Sequence, residues 1–182
     1  MRTVGEAVAS LEQSLVLARE AELQVFRTWL LRETDVPELL NVTGQPGVGK
    51  STLLSAFEHE AATFGRTVAW ADGHSFAATP QGLLTALSGG RSSNVEDVVS
   101  LLNEDRSLVL LDTFEELEHL TGFLQQELLP RLDTEVKVVI AGRRPLILAW
   151  RRADAWPKIV RLLPLECFSA SESRLSNCRW AR

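Results

Sequence analysis

The sequence predicts an α/β fold, a three-layer α/β/α sandwich built on a mainly parallel five-stranded sheet. Five strand-like apolar runs alternate with helical stretches along the 182 residues, and such alternation implies right-handed crossovers between parallel strands. The run at residues 107–111 is uniformly apolar from Leu108, as expected of a strand that is covered on both faces. A glycine-rich turn at residues 44–52 joins another such run to a helix. In sheets of this kind, ligands bind beyond the carboxyl ends of the strands.

Each predicted strand is a short apolar run with turn or breaker residues beside it. Pro37 breaks the helical pattern before the first strand, and Asp72 begins a turn after the second. Asp112 follows the third strand, and Gly142 follows the fourth. The predicted strands are residues 38–43, 66–71, 107–111, 136–141 and 158–163.

Helices are predicted from apolar residues at spacings of three and four and from capping residues. Thr79 is a favourable N-cap, and Pro80 suits the first helical position. Ser93 and Glu96 match a capping box. The predicted helices lie within residues 15–33 (amphipathic from Glu20), from the glycine-rich turn to Gly65, at 80–87, after Ser93, at 116–132 and at 146–156; residues 6–13 form either a short helix or part of a loose arm.

Composition and charge narrow the class of protein. A chain with 45% hydrophobic and 24% charged residues is typical of soluble globular proteins, and its length suits one α/β domain. There is no apolar window long enough for a membrane span and no secretion signal, and the two cysteines lack metal spacing, so we expect a cytoplasmic location and no membrane partner. The net charge of −5 disfavours broad contact with nucleic acid, which we therefore do not expect as a partner of this domain alone.

The turn at residues 44–52, GQPGVGKST, fits the phosphate-binding pattern G-x-x-x-x-G-K-[ST]. Its glycines let successive N–H groups point at an anion, and the helix that follows adds its positive end. Lys50 would reach the β- and γ-phosphates, and the Ser51 hydroxyl would bind Mg²⁺. The alternative is a glycine-rich turn without a ligand. The predicted nucleotide-binding residues are Gly44, Gln45, Pro46, Gly47, Val48, Gly49, Lys50, Ser51 and Thr52.

Three further charged residues complete the predicted site. Asp112, at the end of a buried strand, is the expected second protein ligand of Mg²⁺, although an aspartate there can also begin a turn or cap a helix. Glu115 or Glu116 would orient the attacking water, and we favour Glu115 because Glu116 begins an acidic stretch that suits a helix start. An ordinary role at a helix start stays open for both.

Arg143 follows the fourth predicted strand and is the candidate to contact the γ-phosphate, since guanidinium forks onto phosphate oxygens and stays charged. Its neighbour Arg144 is the alternative, facing either solvent or a partner. The predicted catalytic residues are Lys50, Asp112, Glu115 and Arg143, and the predicted metal ligands are Ser51 and Asp112.

The segments GQPGVGKSTLL, LVLLDTFEELE and VVIAGRRP, with LVLAREAEL upstream and RLLPLECFSASES downstream, resemble the ATPase core of the STAND class, relatives of AAA+ proteins with origin-recognition-like ATPase domains. The resemblance implies a P-loop NTPase with ASCE-type strand order that binds ATP and Mg²⁺. It implies that residues 16–23 lie close to the adenine, with Ala18 where glycine is usual. Thr113 stands where a standard AAA+ protein has its catalytic glutamate, which implies slow turnover, and Arg143 matches the first sensor position.

The resemblance covers residues 15–173 and suggests an arm at 1–14, an ATPase core at 15–165 and the truncated start of a lid or linker at 166–182. The leading hypothesis is an ATP-binding regulatory switch with slow hydrolysis, working in signal transduction with a homo-oligomer or with effector domains missing from this chain. The alternative is a non-catalytic nucleotide-binding scaffold, or a truncated remnant of a larger signalling or transcription-regulating ATPase. A third hypothesis, DNA remodelling, lacks a basic reading element in this sequence.

Overall fold

A five-stranded, all-parallel sheet forms the middle layer of the protein, as seen in a computed structural model that describes residues 19–32, 38–146, 150 and 155–166. The strand order is β2-β3-β4-β1-β5, the ASCE-type order that the resemblance implied. All five predicted strands are confirmed, with ends that differ by up to two residues. They are β1 (Leu39–Thr43), β2 (Val68–Asp72), β3 (Leu108–Asp112), β4 (Lys137–Gly142) and β5 (Val160–Pro164).

Helices cover both faces of the sheet, which confirms the three-layer prediction. The side chains of β3 alternate between two buried clusters: Leu108 and Leu110 belong to one, and Val109 and Leu111 belong to the other. One layer contains α1 (Glu20–Leu30) and α2 (Lys50–Thr63), and the other contains α3 (Pro80–Leu87), α4 (Val95–Glu104) and an irregular helical segment at residues 114–131. Within the described residues, no helix is long and apolar enough to cross a membrane.

The sheet order determines which functional segments are neighbours. β4 lies between β1 and β3, and Thr43 of β1 is level with Gly142 of β4. Asp72 of β2 is level with Asp112 of β3 in the same way. Because all pairs are parallel, the carboxyl ends of these strands meet at one edge of the sheet. That edge carries the glycine-rich turn, Asp112 and the segment that contains Arg143.

Two helix predictions are wrong in detail. The N-cap of α4 is Asn94 rather than Ser93, because the Asn94 side chain accepts the N–H groups of Glu96 and Asp97 at 2.8 and 3.3 Å. The helix predicted at 116–132 is an irregular helical segment rather than one regular α-helix, and Pro130 removes a backbone donor near its end. Its parts are 3₁₀ turns at Phe114–Glu116 and Glu118–Leu120, an α-turn at Thr121–Phe123, a π-turn at Leu124–Leu128 and a 3₁₀ turn at Leu129–Arg131.

The start of the fifth strand also differs from the prediction. Lys158 belongs to a four-residue helix, Trp156–Ile159, so the strand begins at Val160. Most of the helix predicted at 146–156 lies outside the described residues. The arm at 1–14, the segment 16–18 and residues 167–182 also lie outside them.

Helix α1 packs along α2 through an aromatic stack and an ion pair. The rings of Phe26 and Phe57 stack with centroids 3.9 Å apart. The Arg27 guanidinium donates from Nε and Nη2 to the two carboxylate oxygens of Glu60, each at 2.7 Å. These hydrogen bonds lower the pKa of Glu60 below its ordinary value. Together the two contacts fix α1 against the helix that follows the glycine-rich turn.

We expect the melting temperature of the Glu60→Gln protein to fall less steeply than that of the wild type as the pH is lowered. Since the folded-state pKa of Glu60 lies below its ordinary value of 4.5, the pair stabilises the fold above that value and loses its contribution as the pH falls through the folded pKa. Melting temperatures measured from about pH 7 down to about pH 3 test this expectation. Glu58→Gln, an exposed change on the same helix, is the control. A Glu60→Gln protein that loses stability in acid as steeply as the wild type contradicts the assignment.

Candidate functional site

The glycine-rich turn leads from β1 into α2 and contains two left-handed glycines. Gly47 has φ 79° and Gly49 has φ 96°, values that L side chains rarely adopt. A Cβ built at either position has no neighbour within 4 Å, so the backbone angle, and not the available space, requires glycine. Gly49 is also the N-cap of α2 and provides no side-chain acceptor. The first N–H groups of α2 are therefore left without a side-chain cap, at the positive end of the helix dipole.

Gly44 requires glycine for a different reason, a close backbone contact. A Cβ at Gly44 would lie 2.8 Å from both the Leu165 carbonyl oxygen and Cγ1 of Val48. The Gly44 N–H donates to the Gly142 carbonyl at 3.3 Å, and the Leu165 N–H donates to the Thr43 carbonyl at 2.6 Å. The start of the turn is thus held between the ends of β4 and β5.

Lys50 is the first residue of α2 and is half-buried. Its Nζ donates to the carbonyl oxygens of Gly44 at 2.9 Å and Gln45 at 3.1 Å, so the ammonium folds back over the start of the turn. Ser51 follows in the first turn of α2 and is exposed. The ammonium, the Ser51 hydroxyl and the uncapped amides therefore belong to one short stretch of chain.

Asp112 ends β3 and is only 4% exposed. Its Oδ1 accepts the N–H of Thr113 at 2.8 Å. Thr113 has φ 53°, a strained conformation for a β-branched residue, and such strain is often found at functional sites. The carboxylate is thereby oriented by the turn that follows the strand.

Asp72, beside Asp112 in the sheet, has a structural role in its own turn. Burial alone would raise the pKa of Asp72, but hydrogen bonds from the His74 N–H and from the Thr113 and Ser75 side chains outweigh it and hold the pKa below its ordinary value. The N–H of His74 and the hydroxyl of Ser75 donate at 3.1 and 3.2 Å. These donors stabilise the negative charge of the half-buried Asp72.

Glu115 and Arg143 contact each other directly. The Arg143 Nε and the Glu115 Oε1 are 2.7 Å apart. The other carboxylate oxygen, Oε2, is buried and accepts no hydrogen bond within the described part of the chain. A Cβ built on Gly142 would lie 3.5 Å from that oxygen, so Glu115 packs over the end of β4. Glu116 is exposed, whereas Glu115 is half-buried; Arg143 and Arg144 are both exposed, and Arg143 is the one that contacts Glu115.

Comparisons with known proteins agree with this architecture. No protein-family model and no curated protein sequence matches the chain. Among solved structures, AMPPCP-bound DnaA from Aquifex aeolicus matches with a TM-score of 0.53 and 21% identity, over 82% of this chain and 47% of that one. Cdc6p from Pyrobaculum aerophilum matches with a TM-score of 0.59 and 16% identity, over 85% and 46%. ORC1 from Aeropyrum pernix, in complex with DNA, matches with a TM-score of 0.54 and 19% identity, over 86% and 47%.

The chain shares its α/β fold with these DnaA, Cdc6p and ORC1 structures over the matched part. The chain spans about half the length of the solved chains that it matches. In this fold, the predicted site residues lie on the turn after β1, at the end of β3 and on the segments that follow β3 and β4, at one edge of the sheet. The predicted residues Glu115 and Arg143 are brought into contact, and Lys50 contacts the turn that precedes it.

The oxygen ligands at this edge, a hydroxyl and a carboxylate, suit a small hard cation such as Mg²⁺. They are too few to hold a metal ion without further ligands. Across the described ranges, there is no group of three or more His, Cys, Asp or Glu side chains that could hold a metal ion. Ser51 offers a hydroxyl and Asp112 a carboxylate, and Mg²⁺ bound to a triphosphate takes its remaining ligands from phosphate and water. The Ser51 hydroxyl and the Asp112 carboxylate therefore suit Mg²⁺ that arrives with a nucleotide.

Two buried polar residues that hold segments of this edge in place were not among the predicted site residues. Asn41, in the middle of β1, is 1% exposed; its Nδ2 donates to the Ile140 carbonyl and its Oδ1 accepts the Leu146 N–H, both at 2.9 Å. It therefore ties the segment after Arg143 to the sheet. The second is Arg19, a buried residue just before α1 that contacts the turn itself. A polar residue inside the apolar run LLNVT was the available signal for Asn41.

Replacing Asn41 by leucine, which keeps the branching of the side chain, should lower the free energy of unfolding by about 1–3 kcal/mol because the buried Leu146 N–H loses its acceptor. Urea unfolding measures the change. Asn103→Leu is the matched control, since the Asn103 side chain also bridges two backbone groups, at 3.2 and 3.0 Å, but is only half-buried. A loss for Asn41→Leu no larger than that for Asn103→Leu would contradict the role of burial.

Proposed function

We propose that this chain is an ATP-binding P-loop NTPase domain that acts as a nucleotide-dependent regulatory switch with slow ATP hydrolysis. The observation that carries the proposal is the meeting of three segments at one sheet edge: the left-handed glycine turn, the buried Asp112 and the Glu115–Arg143 pair. The match to AMPPCP-bound DnaA, whose ligand is an ATP analogue by its name, supports the choice of nucleotide.

Different groups of the chain would bind different parts of a Mg²⁺-triphosphate. The amides of residues 44–52 would cradle the phosphates, and Lys50 would exchange the carbonyls of Gly44 and Gln45 for phosphate oxygens. Ser51 and Asp112 would hold Mg²⁺, which neutralises charge on the β- and γ-phosphates when bound. The carbonyls that Lys50 now contacts are neutral acceptors, so a phosphate oxygen is the stronger partner.

Slow hydrolysis follows from the pairing of the two residues that turnover needs. Arg143 would have to leave Glu115 to contact the γ-phosphate, and Glu115 would then orient the attacking water. Glu115 is the better candidate than Glu116, because its side chain is 19% exposed and its Oε2 has no hydrogen-bond partner among the described residues, whereas Glu116 faces solvent. The side chain of Thr113 has no titratable group to replace a catalytic glutamate.

The same exchange of partners by Arg143 would let the domain act as a switch. Arg143 binds a carboxylate when no γ-phosphate is available and binds the phosphate when ATP is present. Since the carboxylate and the phosphate bias the segment after β4 differently, nucleotide state can shift the population of its conformations. We place this activity in a STAND-like signalling ATPase whose core is residues 15–165, with an arm before it and the start of a lid or linker after it, in a cytoplasmic setting and with homo-oligomer or effector domains as partners.

A non-catalytic scaffold is the second candidate function. The Glu115–Arg143 pair favours it if the pair persists with ATP bound. DNA is a separate question: ORC1 from Aeropyrum pernix was solved in complex with DNA, so the comparisons give no support to the prediction that nucleic acid is not a partner. That prediction rests on the net charge of −5 and on the lack of a basic reading element in the sequence.

Lys50→Ala should abolish measurable Mg²⁺-ATP binding, with a loss of at least about 100-fold, because it removes the one cation that contacts the turn from α2. Isothermal titration calorimetry measures the affinity. Lys158→Ala is the control, since Lys158 is exposed and lies before β5, at the opposite edge of the sheet. Unchanged affinity in a folded Lys50→Ala protein would refute the site.

Glu115→Gln should reduce phosphate release from ATP about 100-fold or more, the usual contribution of a positioned general base, while ATP still binds. Phosphate release followed over hours, beside the matched change Glu116→Gln, tests this role. Equal release rates in the wild type and in Glu115→Gln would favour the scaffold. A loss confined to Glu116→Gln would assign the role to that residue.

A further inference from the structure

Arg19 lies immediately before α1 and is 8% exposed, which is unusual for a charged side chain. A cation at the N-terminal end of a helix also meets the positive end of the helix dipole. The burial of the charge and its position at the positive end of the dipole are both unfavourable, so other contacts must stabilise Arg19 here. Arg19 was not among the predicted site residues, although it belongs to the segment 16–23 that the resemblance placed close to the adenine.

The contacts of Arg19 connect three separate parts of the chain. Nη1 donates to Oε1 of Glu22 at 2.8 Å. Nη2 donates to the carbonyl of Val48, inside the glycine-rich turn, at 3.1 Å, and to the carbonyl of Glu166, just after β5, at 2.9 Å. The carboxylate of Glu22 offsets the charge, and the two carbonyls determine the direction of the guanidinium.

The contact with Val48 has a consequence for the next amide. The C=O of Val48 and the N–H of Gly49 belong to one planar trans peptide, so they point in opposite directions. A guanidinium that holds the carbonyl on one side of the turn therefore holds the Gly49 N–H on the other side. The Gly49 N–H donates to no group within the described ranges. In a phosphate-binding turn, amides held in this way bind the anion.

We propose that Arg19 is a positioning residue for triphosphate binding, which orients the Val48–Gly49 peptide and couples the turn to the segment that leaves β5. The inference rests on the proposed function, since it assigns Arg19 to the same phosphate site. Arg19 acts through the peptide and does not contact the nucleotide. Lysine at this position keeps the charge but cannot make the same planar, forked set of hydrogen bonds.

The test compares Arg19→Lys and Arg19→Gln with Arg27→Gln. Arg27 is the matched control because it also anchors α1, but through Glu60 of α2 and without contact to the turn. Calorimetry measures the affinity for Mg²⁺-ATP and for Mg²⁺-tripolyphosphate, a probe that has no base or ribose. The ¹⁵N–¹H resonance of Gly49, recorded without nucleotide, reports on the peptide itself.

Both Arg19 variants should bind Mg²⁺-ATP and Mg²⁺-tripolyphosphate about 10-fold or more weakly, the usual effect of losing a hydrogen bond from a charged group. Both should also shift the Gly49 resonance. Arg27→Gln should bind within about 2-fold of the wild type and leave that resonance in place, even if its melting temperature falls.

Arg19 variants that bind as the wild type does, or an equal loss in Arg27→Gln, overturn the role of Arg19 and leave the ATP site standing. A wild-type protein that binds no Mg²⁺-ATP overturns the proposed function instead, and the inference with it. Arg19→Lys keeps the positive charge beside Glu22, so a folding failure confined to Arg19→Gln leaves the test intact.

Discussion

The candidate site depends on a close backbone contact at Gly44. The lack of a side chain lets the chain approach the carbonyl of Leu165, where a Cβ would lie 2.8 Å from the oxygen. The Gly44 N–H bonds to the end of β4 through Gly142. The turn therefore begins from a fixed point between two strands, and the left-handed angles of Gly47 and Gly49 set its path into α2. Without this fixed start, the later amides have no defined direction.

The strand order explains why the charged residues can cooperate. With β4 between β1 and β3, Arg143 leaves the sheet between the turn and the segment that contains Glu115. Asn41 secures that placement from within the sheet, since its side chain binds both Ile140 of β4 and Leu146 beyond Arg143. The strand order thus brings these residues close together, although they are far apart along the chain.

The fold was largely predictable because apolar runs, glycines and prolines are local signals. The alternation of strand and helix predicted the parallel sheet, and the glycine-rich turn and Asp112 lie at one edge of it, as expected. Two kinds of feature were not predictable. Contacts such as the Glu115–Arg143 pair depend on which strands are neighbours. Local propensity also failed where competing residues are adjacent, so that Asn94 and not Ser93 caps α4.

Buried cations hold both ends of α1, and this suggests how the site is connected to the rest of the molecule. Arg19 binds the turn at one end, and at the other Lys137, 3% exposed, donates to the Arg32 carbonyl at 3.0 Å and lies 5.7 Å from the Trp29 ring centroid. A helix of 11 residues is about 16 Å long, so α1 extends away from the turn along one face of the sheet. At the first end, Arg19 binds backbone carbonyls outside the helix, and at the other end the Arg32 carbonyl accepts from the side chain of Lys137 in β4. A shift of the Val48 peptide therefore either displaces the start of α1 or breaks the Arg19 contact. Only the first response would carry a change in the glycine-rich turn to the surface of α1.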